Sequence, residues 1–169
     1  GARRGALLTD NNLLSYYFED AKTLYEVFQR GVSISGNGEC LGYRKPKQPY
    51  QWLTYKQVSD RTKYLGSGLL QKGCQPSSNQ YIGIFAQNRP EVSNKLCILS
   101  YTILTLWGET EISVVICDTP AKAEVLLKNC EEKKTPCLKI IVLMDLFDKE
   151  LQDRGAKVGI EILSLQEVE

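Results

Sequence analysis

Apolar residues recur along this chain in two rhythms, and the change between them divides it. From Leu14 the apolar positions are Leu14, Tyr17, Phe18, Ala21, Leu24, Tyr25 and Phe28. They fall mostly three or four residues apart, the spacing of one helix face. The predicted helix starts near Leu14, or later with Asp20 as its cap, and Gly31 is placed to end it. Packing against the rest of the domain is its expected role. The alternative is a helix lying in a membrane interface, which its mixed charges Glu19, Asp20, Glu26, Lys22 and Arg30 disfavour.

A second helix is announced by Thr54-Tyr-Lys-Gln57, a capping box with a hydroxyl followed three residues later by Gln. Val58, Thr62, Leu65 and Leu69 continue it on one stripe, and Gly73 ends it. Gly66 and Gly68 inside it cost helix stability and point to a close packing contact. Between the helices, residues 41–44 and 50–54 read as a β-hairpin, with Pro46-Lys-Gln-Pro49 in a five-residue loop. That P-x-x-P is better read as a turn than as an SH3 ligand. Gly36-Asn-Gly38 is also read as a turn, because it neither follows a clear strand nor opens a helix.

Past residue 80 the rhythm becomes short continuous apolar runs at 81–86, 112–117, 138–144 and 160–163. Helical segments separate them: one started near Pro90 within 88–107, one capped by Thr119 with Pro120 at its first position and running to Glu131, and one over 146–154. Strands alternating with helices make βαβ units, and fully apolar strands are buried on both faces. The predicted fold class is therefore α/β, a mainly parallel sheet flanked by helices with a small N-terminal β-hairpin. Residues 1–19 are a lead-in, 20–79 the helix, hairpin and capped helix, and 80–169 the βα units of one partial domain. No internal repeat is visible.

Composition narrows the chemistry more than the fold. The chain has 169 residues, 43% hydrophobic and 24% charged, and a net charge of +1, so it has no basic field for nucleic acid. Its basic cluster Arg44, Lys45 and Lys47 lies among prolines and reads as a solvated turn. The apolar run 96–107 falls short of the ~20 residues a membrane span needs and carries Ser100, Thr102 and Thr105. No secretory signal is visible. The six cysteines include no C-x-x-C pair, and Cys97 and Cys117 sit in apolar runs where a thiol acts as a small hydrophobe. Together with the lack of an N-x-S/T sequon, this favours a reducing, intracellular compartment.

Histidine is absent, which removes Ser–His and Cys–His nucleophile pairs and Cys/His zinc sites. There is no G-x-x-x-x-G-K-[ST] loop and no complete dinucleotide fingerprint. The carboxylate pairs Glu109 with Glu111 and Glu131 with Glu132 read as surface charge. The loop Ala86-Gln-Asn-Arg89 follows the carboxyl end of a strand, where ligands gather in open α/β sheets. Arg89 is a weak anion-binding candidate there, since position in a fold is not function.

Several strings resemble one family. They are Gly1-Ala-Arg-Arg-Gly-Ala-Leu-Leu8, Thr23-Leu-Tyr-Glu-Val-Phe-Gln-Arg-Gly31, Cys40-Leu-Gly-Tyr-Arg-Lys-Pro-Lys-Gln-Pro-Tyr50, Gly83-Ile-Phe-Ala-Gln-Asn-Arg-Pro-Glu91 and Ile140-Ile-Val-Leu-Met-Asp145. These resemble the animal long-chain acyl-CoA synthetases, members of the adenylate-forming, AMP-binding superfamily, over nearly the whole chain. The resemblance implies an N-terminal part of an enzyme that uses ATP and Mg²⁺ to make an acyl-adenylate from a long-chain fatty acid and releases pyrophosphate. CoA then displaces AMP. It also implies the cytosolic face of the endoplasmic reticulum or the mitochondrial outer membrane, with membrane association only through a segment outside these residues.

The family's phosphate loop, adenine motif, ribose-binding aspartate and catalytic lysine have no match in 1–169. The expected catalytic, cofactor-binding and metal residues are therefore none, and the chain is expected to be inactive alone. A non-catalytic form that associates with a full-length ligase or with acyl chains is the alternative. One departure stands out. Residues 92–110 replace a longer family stretch that holds a strand, and losing a strand from a parallel sheet exposes edges and apolar helix faces.

Overall fold

The computed structural model describes residues 5, 14–77, 80–87 and 112–169. The helix expected near Pro90, the apolar run 96–107, Cys97, Glu109, Glu111 and Arg89 lie outside the described residues.

Helix α1 runs Leu24–Ser35. It starts later than the apolar spacing predicts, and its cap is Thr23 rather than Asp20. Thr23 Oγ1 accepts from the Glu26 amide while the Glu26 carboxylate accepts from the Thr23 amide, so Thr23-x-x-Glu26 closes its own capping box. Asp20 is instead held by the Arg30 guanidinium at 3.2 Å. Gly31 does not end the helix. It lies against the Tyr55 ring, where a Cβ would come within 2.7 Å of Cε1, so its smallness serves an approach. The stop is Gly36, at φ +51°, a backbone region that glycine enters without strain.

Strands β1 (Glu39–Tyr43) and β2 (Gln51–Thr54) pair antiparallel, as the hairpin reading expects, with a bulge between Glu39 and Leu41. The turn around Lys47 is closed by the Gln48 amide on the Lys45 carbonyl. Helix α2 (Tyr55–Gln71) begins at the Thr54–Gln57 capping box and buries Val58, Ser59, Thr62, Leu65 and Leu69. Gly73 follows it at φ +87°.

The remaining strands are β3 (Tyr81–Phe85), β4 (Ile112–Cys117), β5 (Ile140–Leu143) and β6 (Glu161–Ser164). They form one parallel sheet in the order β3-β4-β5-β6. α3 (Pro120–Glu131) and α4 (Lys149–Lys157) lie between the strands in sequence. α4 starts three residues later than its expected 146, because the Asp148 carboxylate accepts from the Leu151 amide and fixes the first turn there. A last turn of helix, α5 (Leu165–Val168), closes the described chain on its own Ser164–Glu167 capping box.

Two cores sandwich the sheet. On one face Val115, Cys117, Ile141, Leu143 and Ile162 meet Ala123, Leu126 and Leu127 of α3 and Leu151 of α4. On the other, Val114, Ile116, Ile140 and Val142 meet Leu65 and Leu69 of α2 and Leu165 and Val168 of α5. Alternate residues of each strand thus serve opposite faces, which is why the runs read as unbroken apolar sequence. The second cover is assembled from one helix that precedes the sheet in sequence and one that follows it. At Gly68 a Cβ would fall 1.8 Å from the Val168 carbonyl oxygen, so only glycine admits the contact. Arg61 Nη2 reaches Glu169 at 3.1 Å across the same seam, and Lys72, just past α2, reaches Glu161 at the start of β6 at 2.6 Å.

Two substitutions test this packing. Gly68→Ala must push α5 away, and overpacking of this kind costs about 1–3 kcal/mol. The urea midpoint should fall with m unchanged. Thr62 Oγ1 is buried with no hydrogen-bond partner, so Thr62→Val should be neutral or stabilising by about 1 kcal/mol in the same assay.

Candidate functional site

In a parallel sheet the carboxyl ends of all strands open on one edge, and loops there build most ligand sites. In this chain that edge is formed by Ala86 and Gln87 after β3, Asp118 and Thr119 after β4, and Met144 and Asp145 after β5. The ladder continues past the strands: the Met144 amide donates to the Cys117 carbonyl and the Asp145 amide to the Asp118 carbonyl, each at 3.0 Å.

Asp118 is the centre of this edge and is only 3% exposed. Its Oδ2 accepts from the Gln87 amide at 2.9 Å and from Lys122 Nζ at 3.2 Å. Its Oδ1 stands 2.9 Å from the same ammonium without a hydrogen bond of its own. Lys122 sits in the first turn of α3 and also lies 5.0 Å from the centroid of the Phe85 ring. One cation thus ties the end of β3 to the end of β4. Thr119, expected to cap α3, makes no side-chain capping bond, and Pro120 at the first position accounts for the start.

Burial works against the charge on Asp118, but the Gln87 amide and the Lys122 ammonium outweigh it and hold the carboxyl below its usual value. A carboxylate so held is a poor base and carries no proton near neutrality. The arrangement is a clamp on the β3–β4 edge rather than an acid–base pair. It also offers a nucleoside triphosphate little: its cation is already paired with a buried carboxylate, whose own charge repels phosphate. No group of three or more metal-ligating side chains occurs among the described residues.

Sequence reasoning placed interest on the loop 86–89. The structure does bring Gln87 to the edge, through its backbone amide, while Arg89 is outside the described residues. Asp118 and Lys122 were missed. Their signal is the i, i+4 Asp–Lys spacing that straddles a strand end and a helix start, which in sequence looks like ordinary surface charge. Glu131 is surface charge as expected, paired with Arg154 at 2.9 Å, and Glu132 is bonded to Lys134. Cys74, just after α2, has its thiol pushed up by burial, an inert core position. No helix among the described residues is long and apolar enough to cross a membrane.

The clamp yields a pH prediction. A carboxyl lowered on folding adds stability that is fully present above its unfolded value, 3.8, and that is lost as pH falls through the lower folded value. Asp118→Asn should therefore destabilise the chain at pH 7 by about 1–3 kcal/mol. It should also flatten the loss of stability below pH 4, read from thermal melts across pH 2–7.

Comparison with known proteins gives a consistent answer. No protein-family model matches the chain. Whole-chain matches do exist. Long-chain-fatty-acid–CoA ligase 5 of Rattus norvegicus is 57% identical over 184 aligned positions, covering all of this chain and 27% of the relative. Long-chain-fatty-acid–CoA ligase 6 of Homo sapiens is 48% identical, covering all of this chain and 26% of the relative. The chain thus spans about a quarter of the relatives' length. An alignment of 184 positions for 169 residues also leaves part of the relative unmatched.

Among solved structures, the adenylation domain of a carboxylate reductase from Mycobacterium chelonae aligns at TM-score 0.62 and 14% identity, over 86% of this chain and 28% of that one. The adenylation and carrier didomain of a carboxylic acid reductase from Segniliparus rugosus aligns at 0.64 and 16%, over 86% and 26%. These share the fold of the α/β unit. By sequence, the whole chain is similar to about a quarter of the long-chain-fatty-acid–CoA ligases 5 and 6.

Proposed function

We propose that this chain is the N-terminal part of a long-chain fatty acid–CoA ligase and that it does not catalyse the reaction alone. The 57% identity to the rat ligase across every residue of the chain carries the first half of this reading. The edge chemistry supports the second. Acyl activation needs donors and cations aimed at a developing charge on a phosphoryl group, and Lys122, the cation at the sheet's carboxyl edge among the described residues, is spent on Asp118. In the whole enzyme, ATP with Mg²⁺, a long-chain fatty acid and CoA are the reactants. The groups that grip them belong to the part of the fold that this chain does not match. The same reading places the enzyme in lipid metabolism, at the cytosolic face of the endoplasmic reticulum or the mitochondrial outer membrane. Within it, 20–79 supplies the helix, hairpin and one sheet cover, and 80–169 the βα units.

A non-catalytic role in association with a full ligase is favoured by one observation, the absence of any buried residue in α1. A helix that packs so lightly leaves a face for something else.

Purified 169-residue chain should show no ATP–pyrophosphate exchange with palmitate above a protein-free control. Exchange that follows the protein through successive columns would refute the inactivity.

A further inference from the structure

One face of the β1–β2 hairpin carries a run of stacked side chains. Gly42 pairs with Trp52, and Arg44 and Tyr50 lie two residues nearer the turn on each strand, so all four share one side of the pleat. The Trp52 ring lies on Gly42, where a Cβ would come within 2.7 Å of Cζ3. Tyr50 stacks on Trp52 with ring centroids 5.9 Å apart, and the Arg44 guanidinium stands 5.1 Å from the Tyr50 centroid. Tyr50 and Trp52 are nonetheless 56% and 46% exposed. On the other side Leu41, Tyr43 and Leu53 are half-buried, and both strands lie against α2.

The turn adds charge to these rings. Arg44, Lys45 and Lys47 are exposed and pair with no carboxylate among the described residues. No acidic residue lies between Glu39 and Asp60, and Asp60 is held by Lys56 at 2.6 Å. Pro46 and Pro49 fix φ within the turn, and the Gln48 amide closes it on the Lys45 carbonyl. The tip is therefore ordered before it meets a partner, which lowers the entropy lost on contact.

We propose that this hairpin tip docks on the surface of an anionic phospholipid bilayer, with Arg44, Lys45 and Lys47 at the headgroup phosphates and the Tyr50 and Trp52 rings beside them. Tyrosine and tryptophan settle at the membrane–water interface because each ring has an apolar body and a polar edge. Clustered Lys and Arg add attraction to anionic lipid. The proposal goes beyond the ligase reading and stands on the hairpin alone. It puts a membrane contact within residues where the family resemblance implies none. Single-stranded nucleic acid fits less well. It stacks bases on open aromatic faces, whereas Tyr50 and Trp52 are engaged with each other, with Arg44 and with Gly42.

The test is co-sedimentation of the 169-residue chain with phosphatidylcholine vesicles that contain roughly 30% phosphatidylserine, against vesicles of phosphatidylcholine alone. The chain should sediment with the anionic vesicles and stay in solution with the neutral ones. Arg44→Gln/Lys45→Gln/Lys47→Asn should lower binding by about tenfold or more, the effect of removing three charges from such a surface. Asn suits position 47 because Lys47 lies at φ +62°. The control Lys128→Gln/Lys149→Gln/Lys157→Gln removes equal charge from α3 and α4 and should bind as the native chain does. A second readout leaves the tip intact. In a Trp107→Phe background Trp52 is the sole tryptophan, and phosphatidylserine brominated on its acyl chains should quench its emission. Failure to bind anionic vesicles, equal binding to neutral ones, equal loss in the two triple variants, or unquenched Trp52 overturns the proposal. Tighter binding to a single-stranded oligonucleotide than to the vesicles overturns it in favour of nucleic acid. None of these outcomes touches the ligase reading, which ATP–pyrophosphate exchange and sequence identity address separately.

Discussion

Everything in this chain depends on covering a four-stranded apolar sheet on two sides. β4 and β5 present buried residues alternately up and down, and neither face can be left wet, since each buried branched side chain is worth about 1.5–3 kcal/mol. One face solves itself locally: α3 and α4 connect the strands that they cover. The other face has no local helix among the described residues. It borrows α2 from before the sheet and α5 from after it, and these two must meet. Gly68 against the Val168 carbonyl is that meeting. The Arg61–Glu169 fork lies across the same seam.

The carboxyl edge follows from the same geometry. Parallel strands end together, so backbone groups of three different loops converge, and their unpaired amides need acceptors. Asp118 answers for Gln87, and Lys122 answers for Asp118. The loops are tied down by charge that is consumed in the tying.

The sheet was legible in the sequence because burial on both faces leaves unbroken apolar runs, and α2 because Thr54–Gln57 and the Val58–Leu69 stripe point the same way. The start of α1 was misjudged: aromatic residues at 16–18 continue the helical spacing into a segment whose Tyr17 and Phe18 stack edge to face on each other. Thr23–Glu26 held the correct signal. Gly68 meets the close contact that its place inside a helix pointed to, whereas Gly31, read as a helix end, serves a close neighbour that only the fold reveals. α5 escaped because a single helical turn has no period to detect, although Ser164–Glu167 repeats the capping pattern of Thr54–Gln57. The Asp118–Lys122 clamp was invisible for a related reason: its third member, the Gln87 amide, is a backbone group 31 residues away.

The seam between α2 and α5 also bears on when this protein can fold. Arg61 and Glu169 stand 108 positions apart, so closing the second face requires the chain to loop back over nearly two-thirds of its length. A nascent chain emerging from the ribosome can assemble β4, α3 and β5 as they appear, but α2 must wait with Leu65 and Leu69 facing solvent until α5 has emerged. Through that interval the growing polypeptide carries an open apolar surface, the condition under which chaperones engage and aggregation competes.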